Sequence, residues 1–164
     1  FLLAPATIAL ALPLYRQLEK LKKNLIPILI GSVVGAVTAI VSTITLGKIL
    51  GIDKMLLVSF MPKSITTPIG IELSKLLGGI PAITIFSILV TGIAGNVFAP
   101  LVCRYFRIKH PVAKGIGIGI SSHAVGTSKA IEMGEVEGAM SALSIVIAGI
   151  ITFIIAPVFI FLVG

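Results

Sequence analysis

Three long apolar runs dominate the pattern of hydrophobic and polar positions in this chain. Residues 25–47 and 80–102 form runs of 23 residues each without a charge, and residues 139–163 form an uncharged run of 25. At 1.5 Å per residue, 23 helical residues reach about 34 Å, which is enough to cross a hydrocarbon core of roughly 30 Å. The pattern therefore predicts three membrane-spanning helices.

Two polar interruptions lie sixty residues apart, in "PKSITTPIGIELSKLLGG" and in "SSHAVGTSKAIEMG". Each contains an ionisable residue, a threonine four positions later and a glutamate five positions after that: Lys63, Thr67 and Glu72 in the first, and His123, Thr127 and Glu132 in the second. Ionisable groups at membrane depth are costly unless they are paired or line a wet cavity. The repeated set therefore indicates a functional site.

The basic residues are concentrated in two short connections, residues 15–24 and 103–114. Short loops rich in Lys and Arg face the cytoplasm, so both connections are predicted to be cytoplasmic. An even number of crossings must then separate them, and the runs 25–47 and 80–102 already supply two. Residues 55–79 are therefore predicted to be re-entrant, leaving the membrane on the side where they enter.

The local sequence favours a broken helix in this segment. Pro62 and Pro68 remove backbone donors and disfavour helix in the residues before them. Thr67 followed by Pro68 is typical of an N-cap with proline in the first helical turn, which predicts a half-helix through about Leu77. Residues 112–137 are the corresponding candidate in the second half. Full crossing by either segment is the alternative.

The two halves of the chain have the same order of elements. Residues 25–79 and 80–135 each contain one span and one interruption, and residues 139–163 add the final span. One span plus one re-entrant element gives one net crossing, so consecutive copies would have opposite orientations, as in many secondary transporters. We therefore predict a single all-α integral membrane domain over 1–164, built from inverted repeats. Coincidental self-similarity of an apolar chain is the alternative.

Residues 1–14 are uncharged but too short to span. We expect them to be the end of a helix that starts upstream, so that the chain is a fragment lacking N-terminal helices.

Composition supports the membrane assignment. The chain has 57% hydrophobic and 12% charged residues and a mean hydropathy of +1.17, far from the values of a soluble domain. The net charge of +7 comes from the loop cations, so nucleic acid is not an expected partner. The sequence contains no recognisable metal-ligand cluster, phosphate-binding loop or nucleophile motif, and we predict no enzymatic activity and no cofactor. Glu135 and Glu137 are predicted to lie in a solvated loop.

The interruptions suit a small organic anion. Helix N-termini carry partial positive charge and free N–H groups, and neighbouring hydroxyls can bind carboxylate oxygens. The residues predicted to line a substrate path are Lys63, Ser64, Thr66, Thr67, Ser122, His123, Gly126, Thr127 and Ser128. Those predicted to couple protons or to gate are Glu72, Glu132, His123 and Asn96. Histidine is included because its ordinary pKa lies near neutral pH.

Simpler roles remain open for the same residues. Lys63 can extend to the membrane interface, and His123 can bond to backbone only. Glu72 with Lys75, and Lys129 with Glu132, are three residues apart and can form ordinary surface ion pairs.

Several segments resemble the LrgB/CidB family of bacterial membrane proteins: "PATIALALPLYRQ", "PKSITTPIGIEL", "GGIPAIT" and "GIGISSHAVGTSKAIEMGEVEGAMS". Related sequences include the chloroplast glycolate/glycerate translocator. The resemblance implies one of two functions. Some members are described as antiholin-like or holin-like proteins that modulate murein hydrolase activity and cell lysis with a small LrgA/CidA partner. Others are carriers of small monocarboxylates such as pyruvate, glycolate or glycerate.

We expect a multi-pass protein of the bacterial plasma membrane that transports a small monocarboxylate, with proton coupling as a hypothesis. Paired broken elements meeting at a polar centre suit a carrier and are not needed in a lysis pore. The antiholin-like function is the alternative. Expected partners are the lipid bilayer, the organic anion, an LrgA/CidA-type small membrane protein and further copies of the chain.

Overall fold

The computed structural model of the protein describes residues 18–163, which are helical apart from short connections. Seven α-helices follow one another in this range: α1 Leu18–Lys23, α2 Leu25–Ile49, α3 Lys54–Phe60, α4 Thr67–Leu76, α5 Pro81–Tyr105, α6 Pro111–Met133 and α7 Glu135–Phe159, and then a 3₁₀ turn at Ile160–Leu162. The predicted all-α membrane fold is confirmed. The expectation for residues 1–14 lies outside the described residues.

Helices α2, α5 and α7 are the three predicted spans, each 25 residues long. They are long and apolar enough to cross a membrane. Their outer faces are apolar as well, since Ile26, Phe86 and Ile154 are 65–70% exposed. Such surfaces are unfavourable in water but normal against lipid tails.

Helices α3 and α4 form a short hairpin, here called hairpin 1. The hydroxyl of Ser59, near the end of α3, accepts from the Ile80 N–H at 2.7 Å, just after α4 has ended. Halfway along α4, Gly70 packs against Ile88, two turns further along α5. The chain between Ser59 and Ile80 therefore descends along α5 and returns, with its tip at residues 61–66.

Helix α6 is broken at His123, where the backbone is non-helical, and its two halves form a second hairpin, here called hairpin 2. Before the reversal, Gly119 packs directly on the backbone of Ser141 in α7. After the reversal, Thr127 Oγ1 lies 2.7 Å from Ser141 Oγ. The same residue of α7 thus contacts both halves of hairpin 2. The first half runs parallel to α7, since Gly115 packs on Glu137 before Gly119 packs on Ser141, and the second half runs antiparallel to it, since Ile131 packs on Gly138 after Thr127 contacts Ser141.

The two hairpins enter from opposite ends of the bundle. Helix α2 runs parallel to the first half of hairpin 2, with Gly31 on Ile116 and Gly35 on Ile120. The five-residue connection 106–110 makes α5 antiparallel to that half. The end containing residues 106–110 is here called the basic end. Hairpin 2 enters there, and hairpin 1 enters from the opposite end, beside the end of α2. Duplication of the underlying sequence stays a prediction.

Two local predictions were wrong. Glu135 and Glu137 belong to the first turn of α7 rather than to a solvated loop, and Glu137 is 8% exposed, with Oε1 3.9 Å from Lys114 Nζ. A carboxylate in the first turn of a helix is favoured by the helix dipole, so these glutamates suit the start of α7. The N-cap of α4 is Thr66 rather than Thr67, a shift of one residue.

The hairpin geometry predicts the sidedness of the connections. In a Cys103→Ser background, we expect Leu50→Cys and Leu76→Cys to react with a membrane-impermeant thiol reagent from the same side of sealed vesicles, and Lys109→Cys from the other side. Reaction of Leu50→Cys and Leu76→Cys from different sides would mean that residues 54–76 cross the membrane completely.

Candidate functional site

A cleft of about 1070 Å³ opens between α2, α5 and the first half of hairpin 2. Its walls are mainly apolar and include several small residues, among them Gly35 and Gly95. At these two positions the missing side chain lets a neighbour approach closely, Ile120 at Gly35 and Ser122 at Gly95, so hairpin 2 packs tightly along the walls of the cleft. The tip of hairpin 1 also contributes to the lining.

Polar side chains from both hairpin tips reach this cleft. Lys63 and Ser64 come from hairpin 1, and Ser121 and Ser122 come from hairpin 2. Lys63 Nζ lies 3.4 Å from Ser64 Oγ, and the two hydroxyls of Ser121 and Ser122 are 2.9 Å apart. The cleft therefore brings together a cation and three hydroxyls from segments almost sixty residues apart.

Lys63 is held at the tip of hairpin 1 by its neighbours. Pro62 ends the helical bonding, and a turn follows in which the Lys63 N–H donates to the Phe60 carbonyl at 3.1 Å. Met61 and Ile65 on either side are 1% and 2% exposed and belong to the apolar core. Since these neighbours are fixed in the core, the lysine between them lies towards the cleft.

The charge of Lys63 has no counter-ion within the described residues. Glu72 and Glu132 pair with Lys75 and Lys129, and Glu137 lies beside Lys114. Lys63 itself is half-buried, and its Nζ contacts the Ser64 hydroxyl. An amine in apolar surroundings without a carboxylate favours an anionic ligand.

His123 forms the break in hairpin 2. Its backbone has φ 44° and ψ −143°, a conformation that costs of order 1–3 kcal/mol for a non-glycine residue. The ring is 4% exposed, packs on Gly92 and places Nε2 2.8 Å from the Ile88 carbonyl oxygen. His123 therefore lies behind the cleft lining and bonds to backbone, which was the simpler of the two predicted roles.

Thr127 and Gly126 stabilise the break from the other side. The Thr127 hydroxyl is fully buried and donates to the His123 carbonyl at 2.9 Å, so the 2.7 Å contact with Ser141 Oγ is a bond that it accepts. Gly126 is packed against Ser122, where a larger residue would overlap. These two residues position the tip and do not line the cleft.

Asn96 connects α5 to the second half of hairpin 2. Its Nδ2 donates to the Val125 carbonyl at 2.8 Å and lies 3.1 Å from Ser128 Oγ. Ser128 in turn donates to the same carbonyl at 2.6 Å. Side-chain bonds between helices are a common way to satisfy backbone groups near a broken helix.

The remaining predicted residues lie away from the cleft lining. Thr66 and Thr67 are half-buried on the return side of hairpin 1. Glu72 and Glu132 are exposed and form local ion pairs of 2.8 and 2.7 Å, three residues apart in sequence. Of the residues predicted to line a substrate path, those just before each half-helix, Lys63, Ser64 and Ser122, line the cleft, and those that form each break or begin each half-helix do not.

Sequence reasoning missed several lining residues: Thr38, Thr91, Ser121, His110 and Lys114. Thr38 and Thr91 are each one of several hydroxyl residues inside an apolar span, and nothing in the sequence distinguishes them from the others. His110 and Lys114 belong to the basic end, where the positive charges were interpreted only as a signal for the orientation of the protein in the membrane. No group of three or more His, Cys, Asp or Glu side chains suited to a metal ion occurs in residues 18–163.

Comparison with known proteins finds relatives that belong to one family. Residues 1–162 match the LrgB-like family. The chain is 40% identical over 164 residues to the antiholin-like protein LrgB of Bacillus mycoides (strain KBAB4), covering 100% of this chain and 71% of that protein. The values are the same for the antiholin-like protein LrgB of Bacillus cereus (strain B4264) and of Bacillus anthracis (strain CDC 684 / NRRL 3495). No solved structure matches the chain.

The contact between α5 and the tip of hairpin 2 predicts a difference between two glycines. A Cβ at Gly95 would overlap the Ser122 side chain, whereas a Cβ at Gly117 would meet nothing within 4 Å. We expect Gly95→Ala to destabilise the detergent-solubilised protein by about 1–3 kcal/mol and lower its melting midpoint by several degrees. Gly117→Ala should leave the midpoint unchanged or raise it. Equal midpoints for the two variants would contradict this packing.

Proposed function

Because this chain belongs to the LrgB-like family, we propose that it has the antiholin-like function for which its relatives are named, and that its molecular activity is transport of a small carboxylate. The antiholin-like function is supported by the names of the relatives, antiholin-like protein LrgB. The second part is supported by the cleft. The comparisons favour the antiholin-like function more directly, and they carry no information on transport.

One observation carries the transport proposal: the unpaired Lys63 lines a cleft to which both hairpins contribute hydroxyls. A carboxylate bound there would accept hydrogen bonds from the Lys63 ammonium and from Ser64 Oγ. A hydrogen bond to a charged group contributes about 1.5–3 kcal/mol. Ser121 and Ser122 would orient the second oxygen or a neighbouring carbonyl or hydroxyl.

The balance of polar and apolar groups suits a monocarboxylate of a few carbon atoms. One cation among the residues of the hairpin tips neutralises one carboxylate, and a second carboxylate would be left without a counter-charge in the same part of the cleft. The apolar walls would contact the short carbon skeleton. Pyruvate, glycolate and glycerate share these features.

The arrangement of the hairpins supplies a hypothesis for alternating access. The lining reaches His110 and Lys114 at the basic end. In this proposal, the buried residues Met61 and Ile65 of hairpin 1 would close the other end. Rocking of hairpin 1 against α5 would open that end as hairpin 2 closed the first, as broken helices do in many carriers. The buried set of His123, Gly126 and Thr127 would then hold one tip rigid during the movement.

The finer assignments belong to the same proposal. The exposed ion pairs of Glu72 and Glu132 are candidates for gating through exchange of partners, and His123 for proton coupling. We propose that the basic connections 15–24 and 103–114 face the cytoplasm. The proposed partners for the antiholin-like function are an LrgA/CidA-type small membrane protein and further copies of this chain.

The antiholin-like function without transport is the competing proposal, supported by the names of the relatives. A protein of that kind would act by assembling with a pore or by restraining one, and Lys63 would have no solute to bind. The two proposals differ in whether a small solute crosses the membrane without general leakage.

An uptake assay separates the transport proposal from the pore-related one. It measures uptake of labelled pyruvate and of labelled glycolate into proteoliposomes and follows leakage of an entrapped dye in the same vesicles. We expect saturable uptake without dye leakage. Lys63→Ala should reduce apparent affinity about 10- to 100-fold, the equivalent of 1.5–3 kcal/mol. Lys48→Ala, an exposed lysine near the end of α2, is the matched control and should behave as the parent protein. Dye leakage that is indifferent to Lys63→Ala would contradict transport and leave the pore-related function.

A further inference from the structure

Three helices of this protein end in the same backbone motif, but they do not use the same residue. Helices α2 and α4 are followed by Gly51 and Gly78, with φ of 68° and 79°. Helix α5 is followed by Arg107, with φ of 53°. Glycine adopts a positive φ without strain, whereas arginine does so at a cost.

The hydrogen bonds of the three helix ends match closely. In each, the residue after the positive-φ position donates to a carbonyl five residues back: Ile52 to Gly47 at 2.9 Å, Gly79 to Ser74 at 2.8 Å and Ile108 to Cys103 at 2.8 Å. This is the helix-ending motif for which glycine is usual. The arginine at the end of α5 is therefore not required by the backbone, and its side chain is the distinguishing feature of this end.

The side chain of Arg107 belongs to a cationic groove at the basic end. The groove, of about 400 Å³, is lined by Arg104, Arg107, Lys109 and Lys114, with Pro100 and Met133 among its apolar wall. The first three cations are exposed, and within residues 18–163 none of the three has a carboxylate ion-pair partner. Lys114 has Glu137 at 3.9 Å. The groove thus presents unneutralised positive charge.

The groove also lies at the level where the apolar span ends. Tyr105 and Phe106 immediately beside it are 82% and 67% exposed, with their rings edge to face at 5.1 Å between centroids. Exposed aromatic rings at the end of an apolar helix are typical of the membrane interface, at the depth of lipid headgroups. Cations at this depth are attracted to anionic lipid phosphates.

We propose that Arg104, Arg107, Lys109 and Lys114 form a binding site for the phosphate headgroup of an anionic phospholipid. Arg104 and Arg107 supply planar guanidinium groups that bind phosphate oxygens in pairs, and the lysines supply additional charge. Tyr105 and Phe106 contact the glycerol region or the first part of the acyl chains. The site is independent of the proposed transport activity, although Lys114 and Cys103 also line the mouth of the cleft.

Native mass spectrometry of the detergent-solubilised protein with phosphatidylglycerol or phosphatidylcholine tests this site. We expect phosphatidylglycerol to be retained preferentially. Each cation near anionic lipid strengthens binding about fivefold, so Arg107→Gly should weaken phosphatidylglycerol binding about fivefold. The triple variant Arg104→Gln, Arg107→Gly, Lys109→Gln should weaken it about hundredfold. Phosphatidylcholine binding should not change.

Arg107→Gly separates binding from folding, because glycine suits the positive φ and should keep or raise the melting midpoint. If the midpoint falls, Arg104→Gln with Lys109→Gln provides the same test without altering that backbone position. The matched control is Lys22→Gln with Lys23→Gln, which removes two exposed cations next to the start of α2.

Three outcomes would overturn the proposal. One is an unchanged preference for phosphatidylglycerol in the triple variant. Another is a loss of phosphatidylglycerol binding in the Lys22→Gln, Lys23→Gln control as large as that in the Arg104→Gln, Lys109→Gln variant. This would mean that the lipid is attracted diffusely to the basic end. The third is displacement of phosphatidylglycerol by equimolar inorganic phosphate, which would mean a site for free phosphate and not for a lipid.

Discussion

The structure depends on satisfying backbone polar groups where helices break within the apolar bundle. An open backbone is tolerated at membrane depth only when protein or water supplies hydrogen bonds. In hairpin 2 these bonds come from the Thr127 hydroxyl to the His123 carbonyl and from Asn96 to the Val125 carbonyl. In hairpin 1 the Ser59 carbonyl accepts from the Thr84 hydroxyl at 2.8 Å. Each break is thus bonded to a neighbouring element.

Helix α5 provides most of this support and so relates the two hairpins to each other. Ile88 packs on Gly70 of hairpin 1, and its carbonyl oxygen lies 2.8 Å from His123 Nε2 of hairpin 2. Gly92 and Gly95, on the next turns, allow the tip of hairpin 2 to approach closely. The cleft lies beside these contacts between α5 and the hairpins. Lys63 extends into the cleft because the adjoining residues of its own hairpin are buried in the core.

Much of this architecture could be predicted from residue patterns, for identifiable reasons. The three spans follow from long uncharged runs, and the break of hairpin 1 follows from Pro62 and Pro68, which restrict the backbone directly. The break at His123 has no proline or glycine at the break position itself. Besides the local bond from Thr127, four residues later, it depends on the tertiary contact between His123 Nε2 and the Ile88 carbonyl oxygen, which a single sequence does not display.

The lining of the cleft was predicted only in part for the same reason. Lys63, Ser64 and Ser122 were selected as unusual polar residues and do line it, whereas Thr127 was selected on the same ground and is fully buried. Residue type indicates that a polar group needs a partner but not whether that partner is a ligand or the backbone. Three-dimensional contacts decide between these roles.

The central claim is that the two hairpin tips, entering from opposite ends, meet at one cleft, and intramolecular cross-linking tests it most directly. In a Cys103→Ser background, bismaleimides of graded length should link Ser64→Cys to Ser122→Cys within one chain. The pair Leu50→Cys and Lys109→Cys, at opposite ends of the bundle, should stay unlinked by the same reagents. Absence of any link between positions 64 and 122, with both thiols reactive, would contradict the account.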